Sequence, residues 1–312
     1  MVFFGTPEFA KNQLLYLLDH GIKIIAVVTQ PDKPRGRKQK LSPSPVKQAY
    51  LDRNLSIPLF QPEKASSEEF IQEIQNLSPD MLIVVAYGQI LKQQLLDIPS
   101  YDCINVHASL LPKYRGAAPI QRAIANGEKE TGITIMKIVK KLDAGDMLLV
   151  KKIPIPQDAT FEQIESNLSN VSGPALIEVI KAYESNAILP VSQDEDKVTY
   201  AHKITSQDLL LDFSKDAESL HNQIRAFSPK PGAYCLLEDN KRCKILLSKI
   251  VPSSKNPYEN IEFSSEKWVV ACGKSSLQIL RLQLEGKKAM DFKDFVKGHP
   301  KELALKKSSI SL

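Results

Sequence analysis

Cysteine is scarce in this chain. Four occur in 312 residues (Cys103, Cys235, Cys243 and Cys272), with no CxxC pair among them. That spacing excludes a disulfide framework and a recognisable zinc site, and it predicts reduced, buried thiols in a cytoplasmic protein. Long apolar runs are missing as well. No stretch reaches the roughly eighteen apolar residues that a membrane-spanning helix needs. The opening "MVFFGTPEFA" has no charged leader or cleavage site, so no targeting segment is expected there. Internal repeats and low-complexity tracts are also lacking.

What is present is ordinary in bulk and uneven in detail. The composition, 43% apolar and 25% charged, is that of a globular protein, and the length allows two domains with a substantial core. The net charge is +5. Residues 1–205 carry 23 Lys and Arg against 23 Asp and Glu, whereas residues 206–312 carry 18 against 13. Basic charge gathered in one domain points to a polyanionic partner.

The first half alternates strand-like and helix-like segments. Val2–Phe4, Ile24–Thr29, Met81–Ala86 and Ile104–His107 are short apolar runs suited to buried strands. Glu8–Leu18, Glu68–Asn76 and Ala118–Ala125 have helical spacing, Ile133–Val139 and Met147–Ile155 are β-rich, and a helix is expected over Thr160–Tyr183. This alternation argues an α/β fold with a mostly parallel sheet and helices on both faces. The polar stretch after Pro190 is expected to be a linker over residues 190–205, between domains at 1–189 and 206–312. In the second, Ala233–Leu237, Cys243–Ile250, Lys267–Ala271 and Leu277–Leu284 alternate with turn residues, the pattern of a small all-β barrel or sandwich.

One strand ends unusually, in "CINVHASLLP" (Cys103–Pro112). Side chains at i and i+2 of a strand share a face, so Asn105 and His107 project together. Burying two polar groups side by side is unfavourable without partners. In a parallel sheet, ligands bind beyond such strand ends. A third candidate is Asp143 in the turn "KKLDAGDMLL", where Gly145 permits positive φ. The trio has no nucleophile, and one His with one Asp is an incomplete metal-ligand set. It suits acyl transfer to an amine. Asn105 can donate to a developing oxyanion, and His107 can act as acid or electrostatic donor, with Asp143 favouring its charged form and helping to remove the amine proton. Taken singly, His107 also fits a structural histidine and Asp143 a plain turn residue.

"NVHASLLPKYRGAAPIQRAI" followed by "KKLDAGDMLL" resembles the core motif of the formyltetrahydrofolate-dependent transformylases. The resemblance implies a Rossmann-like N-terminal catalytic domain that uses 10-formyltetrahydrofolate and no metal. It makes Asn105, His107 and Asp143 catalytic, and Ser109, Leu110, Leu111, Pro112, Tyr87 and Gly88 folate-contacting. It also has "RGAAP" (Arg115–Pro119) keep the next helix start close to the ligand. "GTPEFA", "TQPDKPRGRKQKLSPSPVK" (Thr29–Lys47), "RAFSPKPGAY" and "EGKKAM" are similar to segments of the methionyl-tRNA formyltransferase branch. That branch implies initiator methionyl-tRNA as partner and a C-terminal OB-like β-barrel domain that binds it. Two departures are Lys92 where the family often has Pro and Ala108 where Gly is common.

The Thr29–Lys47 stretch holds six Lys or Arg after Asp32, broken by Pro and Gly, and predicts a mobile loop without regular helix or strand beside the crevice. Read alone it is a solvated basic loop. Beside a formyl-transfer site it suits phosphate contact, with Arg35 and Arg37 ahead of Lys38 and Lys40 because a guanidinium binds bidentately. A related transferase acting on a sugar amine or glycinamide ribonucleotide is the alternative, and a small acceptor needs no basic arm. A monomer is expected, since no exposed apolar helix stands out.

Overall fold

The structure, a computed structural model, describes residues 1–35, 40–252, 256–298, 303 and 305, with the backbone alone for Arg35, Lys40 and Ile261. The chain forms two compact units. One comprises Met1–Gly116, Thr131–Ile153 and Glu165–Tyr200; the other comprises Ala117–Glu130, Pro154–Ile164 and Ala201–Leu312.

In the first unit, β1 (Val2–Gly5) leads into α1 (Glu8–Asp19) and β2 (Ala26–Val28). The basic stretch follows as a small ribbon of β3 (Lys33–Arg35) and β4 (Lys40–Ser42), and α2 (Pro45–Asp52) comes next. Then come β5 (Leu59–Phe60), α3 (Glu68–Asn76), β6 (Leu82–Val85), α4 (Gln93–Leu96), β7 (Cys103–His107) and the short β8 (Arg115–Gly116). Helix α5 (Pro119–Ala125) belongs to the second unit, and the chain then returns to the first through β9 (Glu130–Lys137) and β10 (Met147–Pro154) and, after Ile164, along the long helix α6 (Phe161–Glu184). The seven-stranded sheet has the order β10-β9-β7-β6-β1-β2-β5. The five strands β5, β2, β1, β6 and β7 are parallel, and β9 runs antiparallel to β7.

The runs that read as doubly buried are so: every residue of β1, β2 and β6 is buried. Helix α1 buries Phe9, Ala10, Gln13, Leu14 and Leu17, one face at helical spacing. From β1 the chain proceeds to β2 and β5 on one side, then to β6 and β7 on the other, so the order reverses beside β1. The carboxyl ends of β1, β6 and β7 (Gly5, Val85 and His107) therefore border the crevice where α/β sheets bind ligands.

In the second unit, β11 (Tyr200–Ala201) is followed by α7 (Ala217–Phe227), whose Leu220, Ile224 and Phe227 are buried. Strands β12 (Ala233–Leu236), β13 (Arg242–Val251), β14 (Asn260–Phe263), β15 (Trp268–Ala271), β16 (Ser276–Leu284) and β17 (Met290–Asp291) precede α8 (Phe292–Gly298). They make a six-stranded antiparallel sheet of order β12-β13-β16-β15-β14, with β17 also paired to β16. Trp268 is fully buried, and its indole N–H donates to Asn260 Oδ1 at 2.7 Å. All four cysteines are free and buried.

Two expectations differ from the structure. "IIAVVT" narrows to a three-residue strand, and the described part of the basic stretch includes two short strands. Lys33–Arg35 pairs with Lys40–Ser42 in an antiparallel ribbon, Pro34 opposite Leu41. Cross-strand pairing supplies backbone partners that a local reading of Pro and Lys does not anticipate, and a two-stranded edge tolerates a missing N–H. Helices α2 and α7 and strand β14 are additional to the elements expected from the sequence.

Candidate active site

Strand β7 carries Asn105 half-buried and His107 buried on the same face, with His107 only 5% exposed. His107 Nε2 lies 2.9 Å from the Tyr114 carbonyl oxygen. A carbonyl only accepts, so Nε2 is the donor there. Nδ1 then faces Asp143, 3.6 Å from Oδ2, too far for a hydrogen bond. Asp143 Oδ2 accepts the Gly116 backbone N–H at 2.8 Å. The two candidates from distant segments thus meet. Among the described residues no hydrogen-bond partner is recorded for the Asn105 amide, so its N–H groups are available to a ligand.

The turn that presents Asp143 is held from outside. Asp143 has φ +46°, a left-handed conformation that is uncommon for non-glycine residues and more accessible to Asp than to most. Gly145 is required beside it, because a Cβ there would lie 1.9 Å from the Lys137 carbonyl oxygen. Gln193 Nε2 donates to the Asp143 and Gly145 carbonyls, each at 2.8 Å. Arg115, with no exposed surface, donates from Nε to Gln193 Oε1 at 3.0 Å and from Nη2 to Glu195 Oε1 at 2.8 Å. The hydrogen bond from Arg115, then that from Lys141, holds the Glu195 carboxyl at about 2. Gln193 and Glu195 fall in residues 190–205, the polar stretch expected to be a linker. Arg115 was noted only within "RGAAP". A buried arginine is invisible to composition, and nothing local marks Gln193.

The Ser109–Pro112 loop is closed by its own polar groups. Ser109, fully buried, donates from Oγ to the Lys113 carbonyl at 2.7 Å. Thr134 Oγ1 donates to the Ser109 carbonyl at 2.7 Å and accepts from Leu111 N at 3.2 Å. Leu110 and Pro112 are half-buried, and Leu111 is buried. Gly132 lets this loop approach the sheet: a Cβ there would sit 2.2 Å from the Lys151 carbonyl oxygen and 2.4 Å from Leu110 Cδ2. The Tyr87 ring is in the core, edge-on to Phe4 with centroids 5.4 Å apart. Its hydroxyl has no hydrogen-bond partner among the described residues, and burial pushes the phenol well up. The Tyr87 carbonyl accepts from Thr6 Oγ1 at 2.8 Å and Gln30 Nε2 at 3.3 Å, beside Gly88 at φ +88°.

Of the basic candidates, Arg37 and Lys38 lie outside the described residues, and Arg35 and Lys40 are described by backbone only. Lys47, counted with them in the sequence, is engaged with Asp32 Oδ2 and Gln61 Oε1, both at 2.8 Å. The hydrogen bonds from Lys47, then Gln61, hold the Asp32 carboxyl below its ordinary value. Together with a buried Thr29–Ser44 hydroxyl pair at 2.7 Å, this network clamps the base of the ribbon. Among the described residues no group of three His, Cys, Asp or Glu side chains is arranged to hold a metal ion, and no helix is long and apolar enough to cross a membrane.

Over residues 1–180 the chain matches the formyl transferase family, and over residues 203–300 it matches the formyl transferase C-terminal domain. The chain belongs to the formyl transferase family. This formyl transferase is 42% identical over 305 residues to the methionyl-tRNA formyltransferase of Protochlamydia amoebophila, covering 96% of this chain and 95% of that one. It is 44% identical over 299 residues to that of Citrifermentans bemidjiense, covering 96% and 93%. Among solved structures it is similar to the sugar 3N-formyl transferase WlaRD, crystallised with dTDP and 5-N-formyl-THF: TM-score 0.64, 20% identity, 92% of this chain and 98% of that one. HypX from Aquifex aeolicus in complex with tetrahydrofolic acid gives TM-score 0.65 at 15% identity, over 95% of this chain and 46% of that one. At such identities the structural likeness is one of fold. The family implied by the "NVHASLLP" motif is the family found.

Proposed function

We propose that this formyl transferase moves the formyl group of 10-formyltetrahydrofolate to the α-amino group of initiator methionyl-tRNA, yielding N-formylmethionyl-tRNA for translation initiation. The observation that carries the reading is full-length similarity, at 42–44% identity, to enzymes that bear this activity as their name. The convergence of His107 and Asp143 beside Asn105 supports the chemistry. The neutral amine attacks the formyl carbon. Asn105 and His107 stabilise the tetrahedral oxyanion, and the Asp143 carboxylate beside His107 takes up the proton released by the amine and passes it towards the departing folate nitrogen.

In this reading residues 1–189 form the folate-binding, catalytic domain. Ser109–Pro112 and the backbone at Tyr87 and Gly88 line the folate pocket. Leu110 and Pro112 offer side-chain surface, and Ser109 and Tyr87 contribute by shaping the backbone. Arg35, Arg37, Lys38 and Lys40 meet the tRNA. Residues 190–205 link to an OB-like domain, residues 206–312, whose basic excess meets the rest of that partner. The enzyme is a cytoplasmic monomer with no metal. Incubation with 10-formyltetrahydrofolate and methionyl initiator tRNA is expected to give N-formylmethionyl-tRNA. Formylation of a sugar amine instead, with the tRNA left untouched, would overturn the reading.

A further inference from the structure

Tyr114, Arg115 and Gly116 are consecutive, and each grips a different part of one ring of contacts. The Tyr114 carbonyl accepts from His107 Nε2, and the Gly116 N–H donates to Asp143 Oδ2. Between them, buried Arg115 reaches Gln193 Oε1 at 3.0 Å. Gln193 closes the ring by giving both protons of one amide nitrogen to the Asp143 and Gly145 carbonyls. Glu195 adds a second tie, because it accepts from Arg115 Nη2 and pairs with Lys141, two residues before Asp143.

We propose that Gln193, held by Arg115, is a positioning residue that sets the Asp143 carboxylate against His107 before substrate arrives. The inference rests on the reading of Asp143 and His107 as the catalytic pair. Three observations carry it. Asp143 sits at positive φ in a turn whose Lys141 and Leu142 are exposed, so local packing does not fix it. Asp143 lies 3.6 Å from the imidazole without a direct hydrogen bond, so the separation is set by what holds the turn. And Arg115 is fully buried with Nε and Nη2 paired and Nη1 without a hydrogen-bond partner among the described residues, so its desolvation is offset through two partners. Here those partners are Gln193 and Glu195, the two side chains that fix the turn. One planar amide spanning two carbonyls of a turn defines both its height and its tilt, which is the preorganisation that proton-transfer geometry demands.

The test measures steady-state formylation by the full chain carrying Gln193→Ala, Gln193→Glu, Asp143→Asn, or Asp143→Asn with each Gln193 change. Gln193→Glu keeps an acceptor for Arg115 and removes the donor to the turn. Misplacing a reacting group by about 1 Å costs on the order of 100-fold. Both Gln193 variants are therefore expected to lose that much kcat, with KM for 10-formyltetrahydrofolate unchanged. Added to Asp143→Asn, neither is expected to cost anything further, because groups acting through one residue are non-additive. Wild-type kcat in both Gln193 variants, losses that multiply with Asp143→Asn, or failure of both variants to fold would each overturn the proposal. A fully active Asp143→Asn enzyme would remove the catalytic reading itself, and this proposal with it.

Discussion

Asn105 and His107 share a face of β7 but differ in how the protein has used them. The imidazole donates from Nε2 to the Tyr114 carbonyl and turns Nδ1 towards the Asp143 carboxylate 3.6 Å away, without a hydrogen bond to it, whereas the amide is left free among the described residues. Under the proposed function the amide is the oxyanion donor and the imidazole its electrostatic partner. Losing one such donor costs about 10²–10³ in kcat. Asn105→Ala is expected to fall in that range in a formylation assay, and near-normal turnover would exclude the role. Tyr87 gives a prediction of opposite sign. Its buried hydroxyl is without a hydrogen-bond partner among the described residues. An unsatisfied buried hydroxyl is destabilising, so Tyr87→Phe is expected to hold or raise stability, by up to about 1 kcal/mol in urea unfolding. A marked loss would mean that the hydroxyl has a partner.

At the scale of elements, the site depends on close approaches that only glycine allows. Gly132 in β9 is pressed against the Lys151 carbonyl and Leu110. Overpacking of this kind costs about 1–3 kcal/mol. Gly132→Ala is expected to destabilise by that amount and to raise KM for 10-formyltetrahydrofolate, since Leu110 must give way. In the second unit, Arg122 of α5 pairs with Asp208, which also accepts from Thr205 N at 2.8 Å. The Arg122 hydrogen bond is the main cause that holds the Asp208 carboxyl at about 2, against an ordinary 3.8. The folded state binds that proton less readily than the unfolded chain. The stabilisation is therefore complete above about pH 4 and is lost as pH falls through about 2. Asp208→Asn is expected to be less stable than wild type near pH 6, the gap closing towards pH 2 in urea titrations. A gap that stays constant across this range would contradict the assignment.

For the molecule as a whole, charge distribution rather than net charge carries the argument. The excess of basic residues lies in residues 206–312, and further Lys and Arg lie between Asp32 and Lys47. Phosphate contacts release counterions, so KM for methionyl-tRNA is expected to climb steeply between about 50 and 200 mM salt. KM for the folate should hardly move, and equal responses would argue against phosphate steering. Removing the charge of Arg35 and Arg37 together is expected to weaken tRNA use far more than folate use and to flatten the salt slope. Equal losses for both substrates would sink the idea. Lys47 is not part of this expectation, because Asp32 and Gln61 already engage it.

The apolar runs of β1, β6 and β7, the helix Glu68–Asn76 and the Asn105–His107 spacing could all be read from the chain. Each is a local pattern: β-branched and apolar runs bury, helical spacing makes one face, and a two-residue interval puts side chains together. The joining of Asp143 to His107 was anticipated as a possibility, and only folding could make it a distance. Gln193, Glu195 and the buried Arg115 lay beyond local reading, because a polar residue in a polar stretch acquires its role from a partner about eighty positions away. The amino-acid order by itself determined the parallel sheet and which strand end presents an amide and an imidazole. Tertiary structure alone decided what holds the carboxylate in front of them, because hydrogen bonds between distant segments leave no periodic trace in the sequence.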